Sequence, residues 1–142
     1  MHHVDVLRVE VNDGGVELFV NGRDLCEHAA VVELPFARAG GSPMIAGDYA
    51  GLPQHLVGPE HYLGSPVLTW SEDGDTVLLG CGCGEWGCWP LTARVEVGTD
   101  RVVWSHFRQG HRDWDLGDLG PFRFERAQYE AALSVLGSPR ES

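Results

Sequence analysis

Three of the four cysteines fall within eight residues, in the run Leu79-Gly80-Cys81-Gly82-Cys83-Gly84-Glu85-Trp86-Gly87-Cys88-Trp89-Pro90. Thiols this close can hold a soft metal ion, exchange a disulfide, or fill space in a tight hairpin. If Gly84-Glu85-Trp86-Gly87 forms a four-residue loop, Cys83 faces Cys88, Cys81 faces Pro90 and Gly80 faces Leu91. Alternation then puts Cys81, Cys83, Cys88 and Pro90 on one face, continuing as Thr92, Arg94 and Glu96. The opposite face carries Leu78, Trp89, Leu91, Ala93 and Val95, with Gly80 and Gly82 leaving room for the Trp89 indole.

Three chemistries stay open for this hairpin. A metal centre on Cys81, Cys83 and Cys88 would suit zinc, with Cys26 or His111 as the fourth ligand. His106 is a poor fourth ligand, since one register sets it two strands away and the other turns it to the core. A redox pair of Cys83 and Cys88 meets the separation a disulfide needs, but there is no C-x-x-C motif and no obvious thiolate-stabilising cation. The third reading is structural, with small reduced thiols filling a glycine-rich hairpin.

A second candidate site lies in Trp104-Ser105-His106-Phe107-Arg108-Gln109-Gly110-His111-Arg112-Asp113-Trp114-Asp115. Arg108, His111, Arg112 and Trp114 together could bind an anion or a partner. The plainer reading gives Trp104, Phe107 and Trp114 to the core and leaves the charges solvated or paired. Gly82 to Gly87 also spells G-x-G-x-x-G, but the run continues as β-type residues broken by Pro90, not as the helix a dinucleotide needs. Catalytic elbows, H-E-x-x-H and phosphate loops do not occur.

The elements that would carry these residues are mostly strands. Val4 to Val11 alternates, Asn12-Asp13-Gly14-Gly15 turns, Val16 to Val20 returns, and Asn21-Gly22 signals another hairpin. Asp24 and Glu27 resemble a capping box for a short helix through Ala30, although Val31-Val32 favours strand. Residues 37–65, full of Gly and Pro, read as an ordered loop pinned by Tyr49, Leu52, Leu56, Val57, Tyr62 and Leu63. A meander follows over Val67–Trp70, Thr76–Cys83, Cys88–Val97 and Arg101–Phe107, with a short strand at Phe122–Phe124. Glu125 to Leu136 is the best helix, with Tyr129, Leu133 and Leu136 on one face and Gly137 ending it.

The 142 residues fit one domain, and 19 glycines and eight prolines favour turns and strands over helices. The fold class expected is α+β: a mainly antiparallel sheet of six to eight strands, one C-terminal helix and a long ordered loop. A net charge of −11 repels phosphate backbones and anionic lipid, so nucleic acid and membrane are not expected partners. A basic protein partner fits that surface. No apolar run reaches a membrane span and no signal-peptide pattern is present, so the expected location is cytoplasmic.

Residues 78–91, read as Leu-Leu-Gly-Cys-x-Cys-Gly-x-x-Gly-Cys-x-Pro-Leu, together with Val103-Trp104, Phe107-Arg108 and Gly120-Pro121-Phe122-x-Phe124, resemble an uncharacterised bacterial protein family. The similarity spans Asn21 to Leu136 and implies no established activity or catalytic residue. The expectation is a small non-catalytic binding domain reinforced by its cysteine hairpin. The alternative is a zinc- or thiol-dependent enzyme, redox or hydrolytic, using Cys81, Cys83 and Cys88.

Overall fold

Left-handed backbone at two dipeptides sets the first hairpins. Asp13 and Gly14, at φ 52° and 78°, join β1 (Leu7–Asn12) to β2 (Gly15–Val20). Asn21 and Gly22, at φ 56° and 83°, join β2 to β3 (Arg23–Asp24). Positive φ at both turn residues matches the twist of the flanking strands, which is why Asp-Gly and Asn-Gly stand there. The computed structural model describes residues 4–70, 75–81, 85, 87, 89–112 and 114–137.

The helix begun at Asp24 is longer than expected. Asp24 caps it by accepting from the Cys26 N–H at 2.8 Å, but α1 (Leu25–Ala39) runs on through Val31-Val32 and Pro35 instead of ending at Ala30. Leu25, Ala29, Glu33 and Ala37, spaced by four, form its buried stripe. Burial of such a stripe outweighs the few tenths of a kcal/mol by which valine disfavours a helix. Pro35 removes one N–H, but both it and Val31, whose carbonyl loses that bond, face solvent.

The segment read as a long loop holds a strand, β4 (Ala50–Pro53), among short 3₁₀ turns at Pro43–Ile45, Gln54–Leu56 and Pro59–Tyr62. Leu52, Val57 and Tyr62 are buried as anchors, whereas Leu56 is exposed. β4 pairs with β2 on one edge and, on the other, with β6 (Asp75–Gly80). The remaining strands are β5 (Thr69–Trp70), β7 (Leu91–Val97), β8 (Arg101–Gln109) and β9 (Phe122–Glu125). They are followed by α2 (Arg126–Leu133) and a 3₁₀ turn to Leu136.

The antiparallel α+β expectation holds, with two corrections to its detail. Among the described residues the sheet has nine strands in place of six to eight, and the fold has two helices in place of one. Its main path runs β1-β2-β4-β6-β7-β8-β9 and nearly closes into a barrel. Six antiparallel steps, an even number, leave the end strands parallel, and Asp5 indeed bridges Phe124 in that sense. No helix among the described residues is long and apolar enough to cross a membrane.

Side chains complete the barrel where backbone does not. At the β1 edge, Gln128 of α2 accepts from the Leu7 N–H at 3.0 Å and donates to the Leu7 carbonyl at 2.6 Å. Beside it, the Asp5 N–H donates to the Arg123 carbonyl, and the Asp5 carboxylate accepts from the Arg123 N–H. On β6, the gap between β4 and β5 falls at Val77. His61 Nε2 meets the Val77 carbonyl at 2.7 Å, and the Val77 N–H donates to Leu68. The interior packs Trp104 against Phe124 and Tyr129. The Tyr129 hydroxyl accepts from the Trp104 indole N–H and donates to the Tyr62 carbonyl, tying β8, α2 and the wrapped segment together.

Candidate functional site

A bulge in β8 borders a cleft. Opposite β7, Thr92 pairs with Arg108 but Arg94 pairs with Ser105, so β8 carries one extra residue there. His106 takes up the difference at φ 55°, a conformation that a non-glycine residue adopts rarely and that histidine tolerates better than most. The bulge resets the alternation: Val102 and Trp104 point inward before it, Phe107 and Gln109 after it. His106 and Arg108 are thereby turned outward, correcting the reading in which one register sent His106 to the core.

The chain then leaves β8 in a turn, with the Arg112 N–H donating to the Gln109 carbonyl at 3.3 Å. Leu116 and Leu119 anchor the following loop in the core, and Trp114 is half-buried. Between this loop and β8 lies a cleft of about 760 Å³, whose walls include Trp70, His106, Arg108, Gln109, Arg112 and Trp114. That volume suits a small organic ligand. The Trp70 indole lies on Gly110, where a Cβ would come within 2.6 Å of Trp70 Nε1 and 2.7 Å of Pro90, so glycine lets the indole form a wall.

Three of the four surface residues expected from sequence, Arg108, Arg112 and Trp114, line the cleft together. The fourth, His111, stands behind its wall, edge-on to Trp70 at 5.1 Å and bonded through Nε2 to the Gly87 carbonyl at 2.9 Å. As in the plainer reading, Trp104 and Phe107 are core residues, and Arg108 lies 3.9 Å from the buried Asp75 carboxylate. The Arg112 guanidinium sits over the Trp89 ring at 5.2 Å, and Trp89 meets Trp114 edge-on.

Gln109 is the residue that sequence reasoning missed. It is 3% exposed, and its Oε1 accepts from the His111 N–H at 2.6 Å. That bond fixes the amide orientation, because a backbone N–H only donates. Its Nε2 is buried with no partner among the described residues. Only the tertiary placement of the turn reveals this.

The cysteine hairpin departs from its expected register. Leu79, not Gly80, pairs with Leu91, and a bulge between Val77 and Leu79 shifts the pairing further, so Thr76 meets Ala93. Thr92, placed on the solvated face, is buried, whereas Arg94 and Glu96 are exposed as expected. Cys81 is half-buried just past β6, while Cys83 and Cys88 lie outside the described residues. Among the described residues no three His, Cys, Asp or Glu side chains gather as a metal site. Of the proposed fourth ligands, His111 contacts Gly87 within the hairpin loop. The Cys26 thiol donates to the Tyr49 carbonyl at 3.5 Å, and burial raises its pKa well above the ordinary thiol value.

Two other buried titratable groups are structural. Glu33 is fully buried, accepting from the Gly47 N–H at 2.8 Å and from the Tyr49 hydroxyl, and burial raises its pKa. It pins the wrapped segment to α1, where Gly47 lies so close that a Cβ would sit 2.6 Å from that of Ala30. His61 is also fully buried, and burial lowers its pKa. No protein-family model, no curated protein and no solved structure matches this chain.

Proposed function

We propose that this protein is a small cytoplasmic, non-catalytic binding domain whose ligand seat is the cleft beside β8. The observation that carries the reading is the cleft itself, about 760 Å³, with tryptophans, guanidinium groups and a buried amide in its walls. Aromatic surface with a few placed polar groups is the usual make-up of a ligand pocket. The cysteine hairpin then serves as reinforcement under that wall. A protein partner is the other kind of ligand the acidic surface allows, and nucleic acid and membrane stay outside the proposal.

The test is a titration of labelled protein with a panel of small acids, amino acids and sugars, reading the indole N–H signals of Trp70 and Trp114. Saturable shifts that disappear when Ser105→Trp fills the cleft, with melting unchanged, support the reading. A panel that moves neither signal, or moves them equally in the filled variant, removes it.

A zinc- or thiol-dependent enzyme is favoured by one contact, His111 against the loop of the cysteine hairpin. Metal analysis of anaerobically purified protein decides it. Stoichiometric zinc that is lost in Cys81→Ser would replace the binding-domain reading.

A further inference from the structure

We infer that the cleft takes a small organic carboxylate on an aromatic body, with the carboxylate held at the Gln109–Arg112 turn. This rests on the cleft being the ligand seat. The turn concentrates hydrogen-bond donors. Gln109 presents an amide whose Nε2 is buried, in a residue 3% exposed, with no acceptor among the described residues. An unmet buried donor is costly, and a ligand that brings an acceptor removes the cost. One turn along, Arg112 lines the same cleft, and no ion pair to a carboxylate is found for it among the described residues.

Among the described residues two acidic groups stand nearby. Asp75 lies by Arg108, and Asp115 Oδ1 accepts from the Gly117 N–H at 3.0 Å. A ligand that brings acceptors meets the Gln109 amide and Arg112 together. The Arg112 guanidinium is backed by the Trp89 ring at 5.2 Å. A planar fork supported in this way suits the planar, two-oxygen geometry of a carboxylate. The net charge of −11 opposes anions in general, but distant carboxylates are screened within roughly 8 Å at physiological salt, while contact donors are not. The tryptophan walls then take the aromatic body, preferring offset or edge-on packing.

The experiment titrates three probes on one naphthalene body, 2-naphthoate, its isostere 2-naphthamide and 2-naphthyl phosphate, by calorimetry and by the Trp70 and Trp114 indole signals. The expected result is saturable binding of 2-naphthoate, at least about tenfold tighter than of either other probe. Arg112→Gln, at an exposed site, weakens it by about tenfold, and Gln109→Glu, which keeps the oxygen facing His111, abolishes it. Amide binding equal to acid overturns the carboxylate inference and leaves the cleft reading standing. Tighter phosphate binding also overturns it, and so does naphthoate affinity unchanged in both variants. Only if no probe, and nothing in the wider panel, moves the cleft signals does the cleft reading fall as well.

Discussion

Replacing His61 with leucine tests whether one imidazole completes the sheet at Val77. A carbonyl only accepts, so Nε2 carries the hydrogen that meets Val77 at 2.7 Å; a backbone N–H only donates, so Nδ1 accepts from Val67 at 3.1 Å. Leucine keeps most of the ring's volume and neither bond. Val77 is 0% exposed, so its orphaned carbonyl costs about 1–3 kcal/mol. Val67 is 56% exposed, and water replaces the ring on its N–H at little cost. The expected loss for His61→Leu is therefore about 1–3 kcal/mol near pH 8, read by urea denaturation. His61→Ala adds a cavity and about 2 kcal/mol more. Acid gives a second signature. Burial holds the folded pKa below the ordinary 6.5, so the unfolded chain takes the proton first. The His61 contribution is fully present above that value and declines as pH falls, by at most about 1.4 kcal/mol per pH unit, until the folded pKa is passed. The wild-type minus His61→Leu difference should shrink on acidification, the other histidines cancelling. A variant within about 0.5 kcal/mol of wild type near pH 8, or a difference flat down to about pH 5, would refute the reasoning.

Gln128→Leu should orphan both backbone groups of buried Leu7, costing about 2–4 kcal/mol and speeding hydrogen exchange at the Leu7 amide while β7 and β8 stay protected. Gly51→Ala should cost about 3 kcal/mol by thermal melting, since its Cβ would sit 2.2 Å from the Val16 carbonyl oxygen with rigid backbone on both sides. Gly15→Ala is the contrast: its nearest neighbour would be an ordinary 3.5 Å away, so the loss stays under about 1 kcal/mol. For Glu33, the raised folded pKa means that stability is fully present below the ordinary 4.5 and is lost as pH rises through the folded value. Glu33→Gln should therefore gain on wild type as pH rises from about 4 to 8, and a parallel pair of stability curves would contradict that.

The parts of the fold readable in advance are those set by neighbours in sequence. Asp13-Gly14 and Asn21-Gly22 need left-handed backbone whatever surrounds them, and the spacing of Tyr129 and Leu133 defines a helical face by itself. β4 could not be read the same way. Ala50-Gly51-Leu52-Pro53 has no alternation and ends in proline, and it becomes a strand only because β2 and β6 arrive on its two edges. The length of α1 was hidden for the same reason, since Glu33 is a helix-face residue only once Gly47 and Tyr49 come to meet its carboxylate.

The site divides along the same line. Arg108, Arg112 and Trp114 were legible as a cluster because they share one short segment, but Trp70 reaches the cleft from 40 residues upstream, bonding the Gly110 carbonyl at 3.4 Å. The Cys81 register differs already at Leu79, which takes the place of Gly80 opposite Leu91, and a bulge between Val77 and Leu79 adds a further step beside the residue whose outer edge His61 and Leu68 complete. Where β4 and β5 part along β6, the ladder has no third strand, and a side chain must stand in for backbone. Gln128 does the same at Leu7, where among the described residues the barrel's parallel seam offers only the Asp5 bridge. Polar residues in those places look ordinary in sequence, because what makes them necessary is a gap in hydrogen bonding between strands far apart in the chain. Among the described residues, the unmet amide of Gln109 lines a cleft without a partner, and that difference is what separates a candidate ligand contact from the structural histidine and glutamine.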